Sequence, residues 1–346
     1  MTAHVRIEMT TDAAARAAAI PGLVVRPYAG EADHPAMARI QNAEYEADGV
    51  RARISVPELD AWLRHPSDQF DPARDMRIAE LDGRPVAYAW TDWVDTTDGL
   101  REYRSRGFVE PAARRRGIGT ALFSDGLRRL GATAAGHDTE RSKLVGTFTH
   151  DQSVAGPKVA AAFGLEPARW FFDMERTLTG ELPPIEPLPD GLEVRPVSSD
   201  DGPAIWRADH DAFRDHWGGF DASEAAYRRW VDSPEFEPSL FVVAYDGQEI
   251  AAAVLNVIYP EENETLGIKR GWLESVFTRR AWRRRGLARA LILRSFELLR
   301  DRGMEVAALG VDADNPSGAL GLYESVGFAV TERMTAWRRP LLEVDR

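Results

Sequence analysis

The strongest constraint on this 346-residue chain is a short pattern that occurs twice. Arg114-Arg115-Arg116-Gly117-Ile118-Gly119 and Arg283-Arg284-Arg285-Gly286-Leu287-Ala288 share the form Arg-x-x-Gly-x-small, and they lie 169 residues apart. Each copy follows a run suited to a strand, Tyr103 to Val109 in the first and Leu273 to Thr278 in the second. In the second copy a helical repeat then begins, with Leu287, Leu291, Arg294 and Leu298 on one side. Small residues in a helix's first turn leave unpaired backbone N–H groups open to close approach, at the positive end of the helix dipole. Such a turn is an anion cradle, and the adjoining arginines suit phosphate oxygens. One copy alone says little, because Gly and Ala are common; two copies in matching contexts are hard to ascribe to accident.

The repetition reaches further. Leu192 to Pro196 echoes Leu23 to Pro27 at an offset of 169 residues, and Asp246-Gly247 echoes Asp82-Gly83 at 164. Between the halves, the stretch from Gly180 to Gly191 holds four prolines (Pro183, Pro184, Pro187 and Pro189), a semi-rigid extended spacer. The expected organisation is an N-terminal arm over residues 1–20, a first domain over 21–179, a linker over 180–191 and a second domain over 192–346. In the first half, Ser55-Val56-Pro57-Glu58 reads as a capping box, and Asp82-Gly83 as a type I′ hairpin turn. A strand over Leu144 to Thr149, a helix over Pro157 to Phe163 and a closing strand over Trp170 to Leu178 follow. The second half ends alike: a helix from Gly286 to Arg302, a strand from Val306 to Val311, a helix from Pro316 to Val326 capped by Asp314-Asn315, and a strand to Arg339. The class is α/β, with a mixed, mostly antiparallel sheet in each half and helices on its faces.

Composition narrows the function. No apolar run approaches the roughly 20 residues of a membrane span, and Met1 to Thr11 lacks a signal peptide's apolar core, so a cytoplasmic location and no membrane partner are expected. Without cysteine there is no disulfide, no thiolate metal site and no cysteine nucleophile. The seven histidines show no metal-ligand spacing. A net charge of −12 argues against a nucleic-acid partner, and an acidic body with local basic pockets suits a phosphate-bearing cofactor beside a neutral or cationic substrate.

This succession of elements, repeated, resembles the GCN5-related N-acetyltransferase (GNAT) fold in each half. The residues that carry the resemblance are Val276-Phe277-Thr278 with the Arg283 motif, and Asn315-Pro316-Ser317 followed by Tyr323-Glu324-Ser325-Val326-Gly327-Phe328. The tandem arrangement, with Phe213 to Gly218 near the start of the second half, resembles the mycothiol-synthase-like group of double GNAT proteins. The resemblance implies acetyl-CoA as cofactor. Val276, Phe277 and Thr278 would line its pantetheine arm, and Arg283, Arg284, Arg285, Gly286, Leu287, Ala288 and Arg289 would hold its phosphates, with Asn315 nearby. Tyr323 matches the family tyrosine whose hydroxyl serves the leaving sulfur, and Glu274 is the candidate base, expected on the face of Val276 and Thr278 by strand alternation. His216 and Trp217 are candidates for the substrate pocket, with His216 the competing base.

In the first half, Gly107, Val109, Arg114, Arg115, Arg116, Gly117, Ile118, Gly119 and Thr120 form the equivalent cofactor positions. Ala160 stands where Tyr323 does and Ser105 where Glu274 does, so the cradle recurs without acid or base. The expectation is a catalytic C-terminal domain and an N-terminal domain that binds CoA or nothing. The leading reading is an N-acetyltransferase for a small amine, as a monomer or homodimer. A non-catalytic acyl-CoA sensor and a protein N-acetyltransferase are the alternatives.

Overall fold

The structure, a computed structural model, describes residues 20–214, 217–219, 221–315, 318–342 and 345. The arm expected over residues 1–20 falls outside them except for Ile20. In chain order the first elements are β1 (Leu23–Pro27), α1 (His34–Asp48), α2 (Val56–Arg64), α3 (Pro72–Asp75), β2 (Met76–Leu81), β3 (Arg84–Asp95), β4 (Leu100–Val109), α4 (Ile118–Ala135), β5 (Ser142–His150), α5 (Gly156–Ala162) and β6 (Glu166–Thr177). Then follow β7 (Leu192–Arg195), α6 (Gly202–Phe213), α7 (Glu224–Val231), β8 (Phe241–Asp246), β9 (Glu249–Ile258), α8 (Pro260–Leu266), β10 (Arg270–Thr278), α9 (Leu287–Asp301), β11 (Val306–Asp312), α10 (Ala319–Ser325) and β12 (Ala329–Pro340). Among the described residues no helix is long and apolar enough to cross a membrane.

These elements form two compact units, each with the same sheet plan. In the first, β1 to β4 run antiparallel, β4 lies parallel to β5, and residues 334–340 of β12 add antiparallel to β5. In the second, β7 to β10 run antiparallel, β10 lies parallel to β11, and residues 171–177 of β6 add antiparallel to β11. The closing strands are thus exchanged. The linear division into residues 21–179 and 192–346 is corrected accordingly: the first unit takes the described residues up to Trp170 with 218–229 and 334 onward, and the second takes 171–217 and 230–333. Both closing strands alternate in a way that fits a sheet, but alternation fixes which face of a strand is buried and not which of two open edges receives it.

Local chemistry explains the elements. The Ser55 capping box forms: Glu58 N–H donates to Ser55 Oγ at 3.2 Å, and Ser55 N–H to Glu58 Oε2 at 2.8 Å. At the first hairpin Asp82 and Gly83 both adopt positive φ (51° and 80°), as a type I′ turn requires. At the second, Asp246 already pairs with Glu249 and only Gly247 of the turn has positive φ, 57°, so the Asp-Gly echo is shifted by one residue. Helix α10 starts at Ala319 with Gly318 (φ 76°) as its cap residue, later than the Asp314-Asn315 cap expected; Pro316 and Ser317 lie outside the described residues.

The second unit's sheet is buried on both faces. Leu287, Leu291, Phe296 and Leu299 of α9 pack on Ala252, Val254, Leu273 and Leu309, while Ile205, Ala208 and Ala212 of α6 pack on Val243, Ala253 and Phe277. Hence β8 and β9 are apolar nearly throughout. The exchanged β6 is tied in by charge. Arg270 of β10, 3% exposed at its side chain, donates to Glu175 of β6 and to Glu262 of α8, both at 2.9 Å.

Candidate active site

The parallel pair β10 and β11 is short. Only Arg270, Gly271 and Trp272 are in register with Val306, Ala307 and Ala308; beyond Trp272 the two strands part. The edge of β10 from Leu273 to Thr278 that faces β11 therefore enters no ladder, while its other edge stays paired to β9 as far as Thr278. A cavity of about 810 Å³ fills the wedge, lined by Leu273 to Thr278 except Ser275, by the turn before α9, by Gly310 to Asp312 and by Tyr323.

Glu274 is placed by a bulge. The register of β10 on β9 shifts between Leu273 and Ser275, so Glu274 is the extra residue. Leu273 and Val276 both belong to the α9 face, whereas Ser275 reaches Asp209 of α6 on the opposite face. Glu274 and Val276 share the cavity but not a strand face, which corrects the alternation argument. The Glu274 carboxylate is open to the cleft yet enclosed by protein, and desolvation raises its pKa above the ordinary carboxylate value; a Tyr259 hydrogen bond works against this, and the Glu262 charge adds to it. Tyr323 is 7% exposed, and burial pushes its phenol up to about 12, so it stays protonated at neutral pH. Its hydroxyl has no hydrogen-bond partner among the described residues, although it lines the cavity. A buried tyrosine usually finds one.

The cradle has the geometry the motif implies. Arg284 and Gly286 adopt positive φ (61° and 81°), and the first helical bond is Ala290 N–H to Gly286 C=O. The amides of Leu287, Ala288 and Arg289 are left without intrahelical acceptors, and Gly286 supplies no side-chain cap. Arg284 lines the cavity, is exposed, and has no partner among the described residues. Thr278 Oγ1, also at the cavity, is buried and unpartnered among the described residues. Free amides, a free arginine, an orphan hydroxyl and an unladdered strand edge fit a long ligand with a phosphate end and an amide-bearing arm.

Several expected phosphate ligands have other employment. Arg283 donates to the carbonyls of Thr278 (3.0 Å) and Ala212 (2.9 Å), pinning the end of β10 to α6. Arg289 pairs with Glu186 at 2.7 Å and reaches Ser325 Oγ at 2.9 Å. Arg285 is not among the residues lining the cavity, and Phe277, 3% exposed, is mainly core. Asn315 lines the cavity, as does Trp217, whose ring lies 5.7 Å from Phe171. His216 lies outside the described residues. Trp206 and Trp230 stack in a core cluster with Phe236 and Phe241 rather than lining the cavity.

One residue of this wall, Gly310, and its strand partner Asp173 were not anticipated. Gly310 of β11 lines the cavity and stands opposite Asp173 of β6 across the ladder. Desolvation pushes the Asp173 carboxyl up to about 6, with Glu332, Glu274 and Glu175 adding to the rise and Arg270 opposing it. The only sequence signal for Asp173 is an acid at an alternating position of Phe171-Phe172-Asp173-Met174, and it has no meaning until β6 is placed beside β11.

The first unit repeats the cradle without the chemistry. Arg115 and Gly117 have φ of 66° and 90°, and a cavity of about 800 Å³ is lined by Gly107, Val109, Arg114, Arg115, Gly117, Ile118, Gly119 and Thr120, but not by Arg116. Gly107 is required by packing, since a Cβ there would stand 2.7 Å from the Tyr88 carbonyl. Ala160 is buried among Leu127 and Phe163, Ser105 is 1% exposed, and β4 runs on β3 without a bulge there. Two acids of α1 occupy donors beside the cradle. Glu44 accepts the Val109 N–H at 2.6 Å, and Arg114 is held by Asp48 at 2.7 and 2.9 Å. Desolvation raises the Glu44 carboxyl to about 7 against the pull of the Val109 amide and Arg114.

A parted parallel strand pair with a phosphate-type cradle at its mouth, in a sheet of this order, defines an acetyltransferase of the GNAT class. Comparison with known proteins agrees: the acetyltransferase (GNAT) family pattern matches residues 203–328. The mycothiol acetyltransferase of Thermobispora bispora is 30% identical over 298 residues, covering 86% of this chain and 92% of its own length. That of Salinispora tropica is 30% identical over 306 residues, covering 86% and 89%. The chain belongs to the mycothiol acetyltransferase family, acyltransferase enzymes of the GNAT class. Among solved structures, a GCN5-related N-acetyltransferase from Sphaerobacter thermophilus matches with a TM-score of 0.67 at 26% identity, covering 93% of this chain and 96% of that one. A tandem GNAT protein from the clavulanic acid biosynthesis pathway, solved without AcCoA, matches in fold with a TM-score of 0.65 at 17% identity, covering 92% and 99%.

Proposed function

We propose that the second unit transfers acetyl from acetyl-CoA directly to a primary amine of a small molecule held in the same cleft, in the cytoplasm, and that the first unit does not catalyse. The observation that carries this is the meeting of Glu274, Tyr323 and the free cradle amides at one cavity between β10 and β11. Acetyl-CoA would supply the acetyl group on a thioester. The amides of Leu287 to Arg289 with Arg284 would hold its phosphates, and the free edge of β10 at Val276 and Thr278 would hydrogen-bond its arm as an added strand. Glu274 takes the proton that the ammonium must shed before nitrogen can attack, and Tyr323 gives its proton to the sulfur that leaves. No side chain becomes acylated.

Titration calorimetry with acetyl-CoA is the first test. It is expected to show a site in the second unit that Gly286→Asp abolishes, since that change adds strain at φ 81° and negative charge at the phosphate position. Tyr323→Phe is expected to lower kcat by about 10²–10⁴ with acetyl-CoA affinity little altered. Absence of binding, or a Tyr323→Phe variant with unaltered turnover, would remove this reading.

A further inference from the structure

Asp173 stands apart from the other acids of the second unit's sheet. Glu175, two residues along the same strand, and Glu262 are both paired to Arg270. The Asp173 carboxylate has neither hydrogen bond nor ion pair among the described residues; only its backbone carbonyl is used, by Thr331. An enclosed carboxylate without a partner is costly, and a protein keeps one where a ligand completes it. What lies in front of it is the cavity wall at Gly310, where a methyl group would stand 3.7 Å from Asp173 Oδ1. With no side chain at Gly310, nothing from that residue stands between this stretch of wall and the carboxylate. The next strand-mate on its face, Phe171, packs on Trp217, itself a wall of the cavity.

We propose that Asp173, delivered by the exchanged strand β6, receives the ammonium group of the acceptor beside Glu274 and selects amines that carry no acid group next to the nitrogen. This rests on the acetyl-transfer reading and sharpens it. The charged groups that face Asp173 are Glu332 of β12, Glu274 and Arg270 of β10 and Glu175 of β6, and Arg270 is already held by Glu175 and Glu262. The field on this side is therefore negative. It draws a cationic amine and repels the carboxylate of a free α-amino acid.

L-Methioninamide and L-methionine test this, being alike in shape and different in that one carboxylate. With acetyl-CoA saturating, kcat/KM of the wild-type protein is expected to favour the amide by about tenfold or more, the difference lying in KM. Asp173→Asn, which keeps the shape, is expected to shrink that ratio by about tenfold, and its thermal unfolding reports whether the fold is intact. A wild-type protein that turns over both probes equally, or neither while binding acetyl-CoA, overturns the proposal and leaves the acetyl-CoA site standing. So does an Asp173→Asn variant with the wild-type ratio. Failure of acetyl-CoA itself to bind would instead strike the reading on which the proposal rests, and the proposal with it.

Discussion

Glu274 sits where a bulge turns its carboxylate into a desolvated cleft, and both facts bear on rate. A base must be ionised to act, and its raised pKa moves that requirement upward. We expect kcat/KM to fall as pH drops through the raised value, and Glu274→Gln to lower it by about 10²–10⁴ while flattening that limb. Because the Asp173 carboxyl, near 6, also feels the Glu274 charge, the limb belongs to the pair rather than to one residue. A pH–rate profile of the Gln variant that keeps the wild-type limb and rate would exclude Glu274 as base. Glu274 and Tyr323 were legible in the sequence because a recognisable strand and helix flank them. Asp173 was not, since its strand lies about a hundred residues from Glu274 and takes its meaning from a pairing that no local pattern encodes.

At the scale of elements, the two cradle turns are nearly superimposable in backbone angle yet differ in what faces them. The turns were readable because Gly117 and Gly286 answer a local steric demand for positive φ. The contacts of α1 were hidden, because Glu44 reaches an amide 65 residues away through tertiary packing. Glu44 takes up a donor at the strand edge and, when ionised, sets a negative charge in the cleft against a phosphate-bearing ligand. Its carboxyl, raised to about 7, is largely charged above that pH and neutral below it. Calorimetry of Glu44→Ala at pH 8 is expected to reveal acetyl-CoA binding in the first unit that is weaker or missing in the wild type, and lowering the pH of the wild type below about 7 is expected to strengthen that binding. Identical stoichiometry and affinity in both proteins would show that Glu44 does not guard this cleft.

For the whole molecule, the duplication was visible in spacing, and the proline-rich stretch marked its midpoint. What spacing could not show is the trade of closing strands, because β5 and β11 present equivalent edges to two strands of similar pattern. The trade makes an unusual prediction. Deleting residues 334–346 should abolish exchange protection of the β5 amides that bond to β12, while those bonded to β4 keep theirs, and it removes the Arg338 pair to Glu102 at 2.7 and 2.9 Å. Protection in β11, bonded to β6, should persist. Loss at β11 with β5 spared would contradict the exchange.

The order of synthesis gives that exchange a further meaning. A ribosome makes β6 before any strand of the sheet it will join exists, and makes the partner of β5 only after all of β7 to β11. The first half therefore leaves the ribosome with one edge unsealed until the strands of the second sheet have been made, a period in which an exposed strand invites pairing with a neighbouring nascent chain. It also means that a gene cut at the proline-rich midpoint would yield two fragments that each lack a strand and each carry the other's. Each fragment would then expose an open sheet edge and a strand with nothing to pair with.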